Sequence, residues 1–162
     1  MLLQAQSGGL RWLDRAGKRL RSKKTAEHLA TGNSGEQHAL LHLRRRGYTV
    51  VVRRWVTGKL RGDLDLVAWH GDTLCFVEVK TRTERNPLDP AEAAVDREKR
   101  RMLRRMAWAY LHTFPRSRRH TIAVRFDIVA VYLTPDQPEV EIFPAAFGWR
   151  DTPHSPRAAF GV

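Results

Sequence analysis

Apolar residues recur along the chain with two periods, and the switches between them mark the elements. In "SGEQHALLHLRRRG" Leu40 and Leu43 fall at helical spacing, which predicts a helix opening near Ser34. Ser34 and Gln37 have the spacing of a capping box, and Gly47 is the expected stop. "YTVVVRRW" (48–55) is β-branched and predicts a strand, ended by the turn residues of "TGKLRG". "DLDLVAW" and "TLCFVEVKT" predict two more strands, with Gly71-Asp72 at the centre of the turn between them. A second helix is expected from "DPAEA", with Asp89 as N-cap, Pro90 at its first position and Glu92 at its third. Val95, Met102, Leu103, Met106 and Tyr110 then repeat at helical spacing. "TIAVRFDIVAVYL" follows a basic loop and reads as a long apolar strand, and "EVEIF" as a short one. The order α-β-β-β-α-β predicts an α/β domain with one mixed β-sheet flanked by helices. The expected organisation is a basic, weakly structured arm over 1–30, the α/β domain over 31–145 and an irregular tail over 146–162.

The hairpin carries charges that its alternation does not explain. With Gly71-Asp72 as a two-residue loop, His70 faces Thr73, Asp65 faces Glu78 and Asp63 faces Lys80. Opposed Cβ atoms lie about 5 Å apart, and like charges there are destabilising. Sliding the loop by one residue puts Glu78 opposite Asp63, so an acid pair survives either register. Two facing carboxylates call for a cation or a shared proton between them. Glu78 and Lys80 share one face of their strand, while Val77 and Val79 take the other. A hard divalent cation seeks oxygen ligands, and Mg²⁺ often takes one or two carboxylates with waters and phosphates. Asp65, Glu78 and the backbone carbonyl of Val79 offer such a set. Lys80 then stands ready to hold a water for attack on phosphorus, or to balance charge in the transition state. The competing reading is a cross-strand salt bridge of Lys80 with Asp63 or Glu78, because a lone D…ExK pattern is weak.

Glu36 adds weight to the cation reading. At about 100° per residue, Leu40 and Leu43 lie within roughly 40° of it, on the sheet-facing side. An acid there calls for a partner or a metal, unless it stays wet in the first helical turn. His38 and His42 point the opposite way and read as solvent-facing. Asp127 interrupts an apolar strand and reads as the ion-pair partner of Arg125, with support of the acid site as the second option. The five tryptophans (Trp12, Trp55, Trp69, Trp108, Trp149) read as core or rim packing rather than as base-stacking platforms.

Composition narrows the function class. A chain of 162 residues fits one domain. No apolar run approaches the roughly 18 residues of a membrane span, and "MLLQAQSGGL" does not read as a signal peptide. Cys75 is the lone cysteine, which excludes a disulfide framework and fits a cytoplasmic location. Net charge is +12 and the pI about 11.0. Residues 1–30 hold seven Lys/Arg against two acids, so most of the excess lies beyond them. This balance favours a polyanion partner, nucleic acid first. Arg97, Lys99, Arg100, Arg101, Arg104 and Arg105 are concentrated on the second helix and are the nominated phosphate-contacting face.

Together "GNSGEQHALLHLRRRGYTVVVRRW", "GDLDLVAW", "FVEVKTR", "AVDREKRRMLRRMAWAYL" and "RFDIVAV" resemble the YraN-type endonuclease-like family. That family is similar to the PD-(D/E)xK nucleases and to archaeal Holliday-junction resolvases. The resemblance runs from about Gly32 to Leu133 and implies a restriction-endonuclease-like core. It places the family's helix acid on Glu36, its central metal acid on Asp65 and its E-x-K pair on Glu78 and Lys80, so that Glu36, Asp65 and Glu78 are expected to gather the cation. It implies Mg²⁺ or Mn²⁺, hydrolysis of phosphodiester bonds, DNA rather than RNA as partner, and the option of a homodimer. Asp63 departs from the pattern, which usually has glutamate there. The alternative is a non-catalytic nucleic-acid-binding protein on the same scaffold.

Overall fold

The computed structural model describes residues 32, 34–83, 85, 95–134 and 136–150. The chain divides into two compact units, 1–34 and 35–162, and the fold below is that of the second. The expected basic arm, the helix opening at Asp89, Trp12 and the chain beyond 150 lie outside the described residues.

Five strands form one mixed sheet in the order β1-β2-β3-β4-β5. They are β1 (Tyr48–Trp55), β2 (Leu64–His70), β3 (Thr73–Arg82), β4 (Ala123–Tyr132) and β5 (Glu139–Phe147). The helices are α1 (34–45), α2 (Arg97–Leu111) and the single turn α3 (Arg116–Arg119). The first three strands are an antiparallel meander. β4 then joins β3 in parallel, which requires the crossover that α2 supplies. β5 adds an antiparallel edge and runs four residues past "EVEIF".

Strand alternation sorts the core into two layers. Even positions of β3 and β4, with Val67 of β2, pack Leu74, Phe76, Phe126, Ile128 and Ala130 against Leu103, Met106 and Ala107 of α2. Odd positions pack Cys75, Val77, Val129 and Val131 against Ala39 and Leu43 of α1. Each helix thus lays its apolar stripe on one face of the sheet.

Helix ends depart from the sequence expectation in two places. Ser34 is itself helical, so it lies in α1 and is not its N-cap. The far end is as expected: Gly47 takes φ +83° and its N–H reaches the Arg44 carbonyl at 3.1 Å. The described part of the second helix opens at Arg97, because Asp96 caps it, accepting from the Lys99 N–H at 2.7 Å. Val95 precedes this cap in a bend, yet is fully buried in the α2 layer.

Candidate metal centre and basic face

The register of β2 and β3 pairs His70 with Thr73 and continues to Leu66 with Val77. Gly71 turns the hairpin with φ +59°. Beyond Leu66 the ladder gives way to a side-chain contact. Asp65 Oδ2 accepts the Val79 N–H at 2.7 Å, so the carboxylate is pinned to β3 one step from Glu78. The N–H and C=O of a strand residue point to the same neighbour, which places the Val79 carbonyl on the Asp65 side. Parity puts Asp65, Glu78 and Lys80 on the face covered by α2.

Glu78 is 3% exposed and holds two lysines through one oxygen. Lys80 Nζ lies 2.9 Å from Oε1 and Lys99 Nζ, from the first turn of α2, lies 3.0 Å from the same atom. The other oxygen, Oε2, is buried and has no hydrogen-bond partner. An unpartnered carboxylate oxygen in a dry site is costly, and a cation would satisfy it. Burial, reinforced by the charge of Glu78, pushes the Asp65 carboxyl up to about 7. Burial opposes the charge on Lys99, but Glu78 outweighs it and raises that pKa.

The donor set fits a hard divalent ion: the Asp65 carboxylate, Glu78 Oε2 and a backbone carbonyl. Among the described residues no three His, Cys, Asp or Glu side chains are gathered into a metal cage. Glu36 is the acid that stands apart. Its side chain is 12% exposed, and its carboxylate is gripped by Arg54, with Nε 3.0 and 2.9 Å from the two oxygens and Nη2 2.8 Å from Oε1. The same guanidinium feels the charges of Asp65 and Asp63, so Arg54 links the helix acid electrostatically to the strand acids. Asp63 is half-buried and adds negative charge beside Asp65 and Lys99, while Lys80 goes to Glu78 instead of to Asp63.

Sequence reasoning missed the roles of Arg54 and Lys99. Arg54 has φ +49°, an irregularity of β1 that strand parity does not reveal. Lys99 belonged to the nominated phosphate face, and the Asp96 cap turns it inward instead. Two other members of that face are also engaged within the fold. Arg100 Nε donates to the Val95 carbonyl at 2.8 Å, and Arg104 Nε donates to the Gly148 carbonyl at 2.8 Å. Arg97, Arg101 and Arg105 are exposed. His38 and His42 are half-buried rather than solvent-facing, and burial with Arg46 and Arg45 lowers the His42 pKa.

Asp127 pairs with Arg125, as parity suggested, at 2.8 Å. It is fully buried and also accepts from the Tyr48 hydroxyl at 3.1 Å and the Ala145 N–H at 3.0 Å. Arg125 donates in turn to Tyr48, whose ring stacks on His70 at 4.2 Å. This network lies on the α1 face, across the sheet from Glu78, and so takes no part in the acid site.

Comparison with known proteins fits this architecture. The profile described as "Uncharacterised protein family UPF0102" matches residues 35–131. A UPF0102 protein of Koribacter versatilis is 48% identical over 121 residues, covering 75% of this chain and 81% of that one. One of Solibacter usitatus is 44% identical over 135 residues, covering 83% and 97%. One of Porphyromonas gingivalis is 42% identical over 111 residues, covering 68% and 77%. The matched span includes every acid and lysine of the candidate centre, and the chain belongs to the UPF0102 family, the YraN-type PD-(D/E)xK nuclease-like group.

Proposed function

We propose that the protein is a divalent-metal-dependent endonuclease that hydrolyses phosphodiester bonds in DNA, branched or otherwise structured DNA included. The observation that carries this reading is the Asp65–Glu78 centre: a buried carboxylate oxygen without a partner, beside a second carboxylate held by the Val79 N–H. Asp65, Glu78 Oε2 and the Val79 carbonyl would hold Mg²⁺ or Mn²⁺. That ion supplies Lewis acidity toward a phosphoryl oxygen and charge for the transition state. Lys80 orients the attacking water, whose oxygen bonds to phosphorus as the bond to the leaving oxygen breaks. Lys99 fixes Glu78 and adds positive charge where the phosphorane gains negative charge. Glu36 keeps Arg54 beside the acids, and the exposed arginines of α2 hold the backbone without reading sequence. The reading places this work in the cytoplasm, where the buried thiol of Cys75 stays reduced.

One observation favours a second reading, a non-catalytic nucleic-acid-binding protein. Lys80 and Lys99 already offset the charge of Glu78, so the centre is balanced without a metal. Incubation with supercoiled plasmid and with a four-way junction, in Mg²⁺ and in Mn²⁺, separates the two. Cleavage that Asp65→Ala and Lys80→Ala abolish is the expected result. No cleavage of either substrate, or equal cleavage by the variants, leaves only the binding reading.

A further inference from the structure

Two tryptophans sit outside the core in a setting that the cation site does not use. Trp108 is 55% exposed and Trp149 is 40% exposed. Their rings lie 6.5 Å apart at 89°. Both are held. Trp149 sets its edge on the buried ring of Phe126 at 5.0 Å, and Phe126 stacks on Phe147 at 4.8 Å. Arg104 clamps this segment to α2 through the Gly148 carbonyl, with its guanidinium 5.6 Å from the Phe147 ring centroid. Trp108 packs against His112 one turn on, at 4.9 Å.

The surroundings of the pair are cationic. Arg97, Arg101, Arg105, Trp108 and His112 follow one another at spacings of three or four residues. At about 100° per residue they fall within an arc of roughly 80°, and all five are exposed. Arg150, also exposed, follows Trp149. An apolar patch rimmed by arginines repels another copy of a chain that carries +12. It suits a polyanion that also offers flat π faces, and unpaired nucleobases on a phosphate backbone have both.

We propose that Trp108 and Trp149, with the arginine stripe of α2, form a stacking platform for unpaired bases of a single-stranded nucleic-acid segment. The inference shares with the proposed nuclease reading only the class of partner. It needs neither Asp65 nor a divalent ion.

The test measures fluorescence anisotropy at one fixed salt concentration in chelator. The probes are a labelled oligothymidylate of about 15 nucleotides, within the span such sites occupy, and an abasic strand of equal length and charge. The wild-type protein is expected to bind the oligothymidylate at least about tenfold more tightly than the abasic strand. Trp108→Ala and Trp149→Ala lose that margin, and Trp108→Phe keeps most of it. Equal binding of both strands by the wild type, or an unchanged margin in both alanine variants, overturns the platform. So does a Trp108→Ala variant that turns a dimer into a monomer in sedimentation while its strand preference stays intact; the patch then belongs to a second copy. Lys80→Ala separates the two claims. If it still cuts, the nuclease reading fails while the platform stands or falls on the abasic comparison alone.

Discussion

Asp65 and Glu78 place a half-buried and a buried carboxylate on one face of the hairpin, and the two lysines satisfy only one oxygen of Glu78. At pH 8 without divalent ion, Asp65→Asn removes a poorly solvated charge that repels Glu78, while its amide oxygen keeps the bond from Val79. The variant is expected to gain about 1 kcal/mol or more, a rise of ~2–4 °C in melting temperature. Added Mn²⁺ should raise the melting temperature of the wild type and not that of the variant. A lower melting point for Asp65→Asn in chelator would contradict the repulsion argument. A second residue titrates at the alkaline end. Burial and the Asp127 charge push the Tyr48 phenol from 10.0 up to about 12. A folded pKa above the unfolded one means the stabilisation is complete below pH 10 and lost as pH rises through 12. Tyr48→Phe should therefore cost about 1–2 kcal/mol at pH 7 in urea unfolding, and the gap to wild type should narrow between pH 10 and 12. At this scale the hairpin acids were legible, because turn chemistry and period-2 parity are local. Lys99 and Arg54 were not: one reaches Glu78 only through the crossover, and the other leaves strand conformation at φ +49°.

Strands were more legible than helix starts. β1 occupies the predicted 48–55, β2 is shifted by one residue at both ends and β3 runs one residue longer, since alternation and Gly71 mark their limits. α2 itself opens at Arg97 under the Asp96 cap, a second cap signal that the sequence reading did not weigh, while Asp89-Pro90 lies outside the described residues. β5 outruns its apolar run because a bulge at Ala145, φ +53°, lets Ala146 and Phe147 rejoin the core. The seat of α1 on β3 depends on a glycine that periodicity does not explain. A Cβ at Gly35 would fall 1.9 Å from Thr81 Oγ1. Intrinsic propensity favours alanine in a helix by about 1 kcal/mol, but this clash outweighs it. Gly35→Ala should destabilise by about 1–3 kcal/mol in urea, and Thr81→Ala in the same chain should restore part of the loss. A neutral Gly35→Ala would mean that α1 can shift on the sheet.

At the scale of the molecule, charge and topology set behaviour. Binding driven by phosphate contacts weakens with salt in proportion to the counterions released. If Arg101 and Arg105 each touch a phosphate, replacing both by alanine lowers the slope of log affinity against log salt by about 2 on duplex DNA. An unchanged slope places the duplex elsewhere on the surface. The mixed sheet was legible as a class from element order, and its single parallel pairing followed from the helix between β3 and β4. That pairing also orders the assembly of the chain. The β1–β3 meander needs only short loops, whereas β4 must wait for some forty residues of crossover to close, a slow, non-local step. Until it does, the Val- and Phe-rich edge of β3 lies bare, and so does Glu78, without the Lys99 that arrives on the crossover helix. A half-sheet still waiting for its last strands would be sticky as well as incomplete, so the refolding yield is expected to fall as protein concentration rises.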